Sequence, residues 1–228
     1  MPRSHELLNA PARLLIPIVP MCYTGSIMEK RLVLEGEGVR LEPLGAQHLP
    51  ELLACANDAA LWEYTFGSNP FTGEADANRW LRDAIEPSDV VAFAVIDKRT
   101  GLLAGSTRYA DISPQHRKVE IGWTFLAQRF WRTHINSEMK FLLFRYAFEH
   151  WNAQRVQLKA EPVNTRSRAA ILRLGATYEG TLRKFRIRPS DGSVRDVSFY
   201  SVTDDEWPMV KERLLSFLDR SLYSLSSE

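Results

Sequence analysis

Between residues 38 and 220 the spacing of apolar side chains switches repeatedly between two residues and three to four, the periods of strand and helix. VRLEPL (39–44) alternates as a half-buried strand does, and QHLPELLACAND (47–58) then carries its apolar residues at helical intervals. EADANRWLRDAIE predicts a second helix over about 73–86, with acid in its first turn as the helix dipole favours. VVAFAVID (90–97), LLAGSTRYAD (102–111) and VEIGWTFL (119–126) read as a three-strand meander with turns at KRTG and SPQHRK. SEMKFLLFRYAFEHW (137–151) is apolar on most of its circumference, the mark of a deeply buried helix. RVQLKAEP (155–162) is then a strand and NTRSRAAILRLG (164–175) a helix closed by Gly175. ATYEGTLRKFRI and VRDVSFYSV (194–202) form a hairpin across PSDGS, and a last helix spans about 205–220. The pattern predicts one mixed α/β domain over 31–220, with a serine-rich tail at 221–228.

Residues 1–30 fall outside this pattern. Their apolar stretch LLIPIVPMC (14–22) is interrupted twice by proline, is too short to span a bilayer, and is not followed by a small-residue cleavage site. It is expected to be a flexible or surface-docked extension, and the folded pattern begins directly after Met28, an alternative start.

Composition narrows the partners. Lys and Arg (29) nearly balance Asp and Glu (28), so bulk charge gives no reason to expect nucleic acid or an anionic membrane. Two cysteines, Cys22 and Cys55, do not make a disulfide framework, and a reducing, cytoplasmic setting is expected. None of the five histidines stands at metal-ligand spacing, so no metal is expected. The apolar helices can all be satisfied within one chain, and a homodimer is equally compatible with the pattern.

The order of elements, with VRLEPLGAQHLPEL, VEIGWTF, the segment from Trp131 to Glu149 and VNTRSRAAILRLGATYEGTLRK, resembles the GCN5-related N-acetyltransferase (GNAT) superfamily. Within it, the chain is similar to the ribosomal-protein N-terminal acetyltransferases over about 38–202. The resemblance implies a central, mostly antiparallel twisted sheet of about six to seven strands flanked by helices. It also implies acetyl-CoA as cosubstrate and a primary amine as acceptor, either a peptide N terminus or a small amine. A non-catalytic module of the same fold, binding CoA or a protein, is the other reading.

In that superfamily the coenzyme's pyrophosphate sits on a glycine-containing turn at the head of the buried helix. There, unpaired N–H groups and the helix dipole hold anions without charged side chains. Here the turn carries Trp131, His134 and Asn136 in place of the pattern's Gln or Arg, glycine, and glycine or alanine. If position 134 needs positive φ, a side chain there costs roughly 1 kcal/mol, which weakens binding about fivefold to tenfold. The amides of Arg132, Thr133, Ile135 and Asn136 do not depend on side-chain identity and remain available. Arg132 either pairs with phosphate or is merely solvated, and Asn136 or Ser137 can cap the helix.

For the chemistry, the resemblance implies direct attack of a neutral amine on the thioester, helped by a base, oxyanion donors and an acid. Backbone groups of Trp123, Thr124, Phe125 and Leu126 would hold the pantetheine and carbonyl. Glu120 is the candidate base, against the alternative of a solvent-facing or salt-bridged carboxylate. Ser167 matches a serine placed near the sulfur and Asn164 a cofactor-side asparagine, though both can instead serve the start of their helix. Arg186 stands where some relatives have a second glutamate. Trp62, Tyr64, Phe66 and Phe71, in LWEYTFGSNPF, either line the acceptor cleft or belong to the core. The alternating Arg183, Lys184, Arg186 and Arg188 form a solvated basic face or a site for an acidic acceptor.

Overall fold

The computed structural model describes residues 28–55, 61, 62, 64, 72–188 and 190–223. Almost all of the expected N-terminal extension, and Phe66 and Phe71, lie outside the described residues. The strands are β1 (Leu34–Glu35), β2 (Val39–Pro43), β3 (Val91–Asp97), β4 (Leu103–Ser113), β5 (Lys118–Leu126), β6 (Arg155–Ala160), β7 (Thr177–Ile187) and β8 (Val194–Thr203). They form one eight-stranded sheet in the order β1-β2-β3-β4-β5-β6-β8-β7. Each seam is antiparallel except that between β5 and β6. The strand beyond the expected count is β1, whose two residues pair Leu34 with Leu41 and are too short to show a period.

The helices are α1 (Leu49–Cys55), α2 (Glu74–Ile85), α3 (Ile135–Arg145), α4 (Thr165–Leu174) and α5 (Trp207–Tyr223). Helices α1 and α2 cover one face of the sheet; α3, α4 and α5 pack together on the other. The first helix is shorter than expected at its start, because residues 46–48 form a 3₁₀ turn; the expected end at 58 lies outside the described residues. The buried helix is not uniform either. After Arg145 it widens into a π-helical turn, Tyr146–His150, in which the Trp151 amide reaches back to the Tyr146 carbonyl. The wider turn keeps Ala147 and Phe148 inside, where Phe148 stacks on Trp207 with ring centroids 5.3 Å apart.

The feature that makes a site is where β5 leaves β6. The two pair only through Lys118–Glu120 against Arg155–Gln157 and then part. On its other edge β5 pairs with β4, but Gly122 faces Arg108 while Phe125 faces Ser106, so β5 carries one extra residue between them. Trp123, within that bulge, has φ 48. A bulge bends its strand and sharpens the local twist, and here the bend accompanies the opening toward β6. Gly105, at φ 157, lets β4 approach this segment, because a side chain there would collide with the Phe125 carbonyl.

Candidate active site

The gap between β5 and β6 is a cleft of about 1310 Å³. Its walls come from both faces of the sheet: Ser137, Lys140 and Ser167 on the α3–α4 side, and Trp62, Trp80 and Arg108 on the α2 side. The alternation of β4 produces this division. Thr107 meets the Lys140–Thr124 contact and the Tyr109 hydroxyl donates to the Leu143 carbonyl of α3, whereas Arg108, between them, lies over Trp80 of α2.

At the head of α3 the chain makes a 3₁₀ turn, Gln128–Phe130, and then a short bend into the helix. The bend needs one left-handed residue, and it is Arg132 at φ 63; His134 is ordinary helical backbone at φ −63. The expected penalty therefore falls on Arg132, not on the position aligned with glycine. Two further expectations are corrected. The Ile135 amide is spent on Thr133 Oγ1 at 3.4 Å, and the helix begins at Ile135 with His134 before it, so neither Asn136 nor Ser137 is its N-cap. Among the described residues the imidazole Nε2 has no partner and is buried against Gly38, where a β-carbon would come within 2.6 Å of it.

Among the described residues, the amides of Arg132, Thr133, His134, Asn136 and Ser137 donate no hydrogen bond; the last three are donors that a helix's first turn leaves free, and the first two belong to the bend before it. Basic side chains flank them. Arg166 stacks on the Trp131 ring at 3.9 Å, Arg173 donates to Ser137 Oγ at 3.0 Å, and Arg132 borders the cleft. Trp131 is fixed by its own Nε1, which donates to the Leu126 carbonyl at 2.8 Å. The combination fits a diphosphate.

Further in, Asn164 caps α4, its Oδ1 accepting from the Ser167 amide at 3.0 Å, and both residues line the cleft. Opposite them is a residue that sequence reasoning missed. Lys140 is buried in α3 and its Nζ donates to Thr124 Oγ1 at 2.9 Å; Thr124 Oγ1 is in turn 2.8 Å from Thr107 Oγ1. Burial pulls its ammonium down to about 7. The one visible signal was a lone lysine in the apolar run MKFLLF.

That depression has a consequence for stability. Below about pH 7 the lysine is protonated in both folded and unfolded chains, and the full burial cost is present. Between there and the ordinary lysine value of 10.5 the unfolded chain holds a proton that the folded one lacks, so stability rises with pH. Lys140→Met is expected to stabilise the protein by about 2 kcal/mol near pH 6 and to remove the rise above pH 7. Urea melts at about pH 6 and pH 9.5 would show it; a less stable variant at pH 6 would contradict it.

Glu120 is buried beside the cleft rather than in its wall. Oε2 pairs with Lys159 at 2.5 Å and accepts from Gln157 at 3.3 Å, while Oε1 lies against Gly122, which does line the cleft. Burial raises its pKa, opposed by Lys159. The salt-bridged arrangement thus exists, with one oxygen still aimed at the wall. The basic face of the hairpin is likewise less free than its sequence implied. Lys184, at φ 52, sits in a register slip, and Arg186, Arg188 and Arg195 turn inward to share the buried carboxylate of Glu161 at 3.3–3.7 Å. Arg186 borders the cleft, and burial pulls it down to about 10.

On the α2 side, Trp62 and Trp80 close on Phe125 at 5.2 and 6.0 Å, and Tyr64 lines the same end. Of the aromatic residues expected there, Trp62 and Tyr64 reach the cleft, joined by Trp80 and Trp123, which sequence reasoning did not single out as acceptor-side residues.

A splayed parallel pair in an otherwise antiparallel sheet, with a helix head aimed at the opening, defines an acyl-CoA transferase architecture, and the comparisons agree. Residues 39–177 match the model of the acetyltransferase (GNAT) domain, more than half of the chain, and the chain belongs to that family. Acetyl-CoA is the acyl donor of the family. The crystal structure of a GCN5-related N-acetyltransferase from Brucella melitensis superposes with a TM-score of 0.78 at 33% identity, covering 82% of this chain and 86% of that one. The Bacillus subtilis protein named "Putative ribosomal N-acetyltransferase YdaF" is 30% identical over 174 residues, 73% of this chain and 90% of the relative. "Uncharacterized N-acetyltransferase p20" of Bacillus licheniformis is 28% identical over 141 residues, 60% of this chain and 78% of that protein.

Proposed function

We propose that this chain transfers an acetyl group from acetyl-CoA to a primary amine that enters from the α2 face, either a peptide N terminus or a small amine. The observation that carries the reading is the cleft through the sheet, with unspent helix-head amides at one end and an aromatic chamber at the other. The name of the B. subtilis relative favours a protein acceptor.

In this reading Arg132, Thr133, Asn136 and Ser137 hold the diphosphate through their amides, and Arg166 and Arg173 add positive charge. The edge of β5 beyond Glu120, unpaired on the β6 side, offers main-chain groups of Trp123, Thr124 and Phe125 to the pantetheine and the carbonyl oxygen. The bound coenzyme supplies a thioester open to attack by a neutral amine. Glu120, its pKa raised by burial, takes the amine's proton at Oε1, beside Gly122. Ser167 donates a hydrogen bond from Oγ to the departing sulfur, which leaves as thiolate and takes its proton from water, while Glu120 returns the amine's proton to water.

Acetyl-CoA should raise Tm, and peptides or amines should then release free thiol. Binding without thiol release from any of a panel of peptide N termini and polyamines would favour a non-catalytic module. No binding at all would sink the proposal.

A further inference from the structure

Among the described residues, one cation in the cleft lacks what the other buried or half-buried cations there have. Lys140 donates to Thr124, Lys159 pairs with Glu120 and Arg186 with Glu161. Arg108 is only 6% exposed, yet among the described residues it makes no hydrogen bond or ion pair, and its Nε is buried and unmet there. Its guanidinium lies over the Trp80 and Trp123 rings, 5.0 and 5.8 Å from their centroids. Asp83 acts on it only from beyond ion-pair distance, and burial pulls it down to about 10.

Two ring faces do not balance this. A cation–π contact contributes about 0.5–2 kcal/mol, while taking an ion out of water costs several kcal/mol. An aliphatic side chain would pack between the two tryptophans without that deficit. The unmet donors border the cleft on β4, opposite Gly122, at the level where β5 turns its open edge to the thioester position. An anion arriving there would gain charge-assisted, fork-shaped hydrogen bonds at little further desolvation cost, because the guanidinium is already dry.

We propose that the acceptor amine also carries an anionic oxygen group, a carboxylate or a phosphate, which Arg108 receives while Trp62, Trp80 and Trp123 flank a planar apolar body. This assignment rests on reading the cleft as the place of acetyl transfer. The amine then points from the Arg108 anchor toward Gly122 and Glu120.

The test is a titration of the full-length protein with benzoate, phenyl phosphate and neutral benzamide, followed by tryptophan fluorescence. Saturating CoA keeps the head of α3 filled. At least one anion should bind about tenfold or more tightly than benzamide. Arg108→Met should abolish the difference and Arg108→Lys should keep part of it. Preference for benzoate assigns a carboxylate acceptor, and preference for phenyl phosphate a phosphorylated one. The comparison within the wild-type protein stands even if a variant fails to fold. Binding of neither anion, benzamide binding as well as both, or undiminished anion binding by Arg108→Met would overturn the proposal. CoA is titrated alone first, which reports separately on the transferase reading, and the anion comparison is repeated without CoA, so that failure to bind CoA leaves the Arg108 result readable.

Discussion

Glu120→Gln is expected to lower kcat by about 10²- to 10³-fold while leaving the Kd for acetyl-CoA unchanged. The amide keeps the shape and one acceptor oxygen but cannot take a proton. Lys159 would not be stranded, because Asp111 stands 3.3 Å from its Nζ and the Phe185 and Phe199 rings lie 5.6 and 5.3 Å away. A purely structural carboxylate predicts something different: lower stability, with the surviving folded enzyme nearly as fast. The pH profile separates the two further. Because burial raises the pKa of Glu120, the acid limb of kcat/KM should lie above the ordinary carboxylate range, with activity lost as pH falls through it. That limb should vanish in Glu120→Gln. An unchanged limb, or a kcat within about threefold of wild type, would assign proton removal elsewhere.

The elements were largely legible because each buries one face and shows its period. The seven expected strands all formed, and α2, α4 and α5 lie within two or three residues of their expected limits. What could not be read was irregularity that depends on partners distant in sequence. The bulge at Trp123 exists because β5 must pair with β4 on one edge while opening from β6 on the other, and VEIGWTFL alternates no differently for it. The π-helical turn is decided by where Phe148 meets Trp207, fifty-nine residues later in sequence.

Site residues were legible where chemistry is local. The Asn164 cap and the α3 head follow from position in a helix, and both were expected from the chain. The strain at Arg132 was assigned to His134 because a pattern aligned with glycine locates the turn but not the residue that turns. Lys140, Arg108 and Glu161 were missed for one reason. Each is a charged residue whose meaning lies in burial, and no periodicity marks a charge on a strand or helix as buried until the opposite layer is known.

The second large effect concerns the grip on the coenzyme. If main-chain donors hold the diphosphate, deleting one N–H should matter and deleting a side chain should not. Asn136 allows both, since its amide is unspent and it lies in the first turn of α3, where proline removes no helical hydrogen bond. A hydrogen bond to a charged group contributes about 1.5–3 kcal/mol, so its loss should weaken binding roughly 10- to 150-fold. Calorimetric titration of acetyl-CoA into wild type, Asn136→Ala and Asn136→Pro tests this directly, with melting curves showing that each variant is folded. The account predicts that alanine leaves Kd within about threefold of wild type and that proline raises it at least tenfold. Equal affinity in all three, or a loss with alanine as large as with proline, would contradict it.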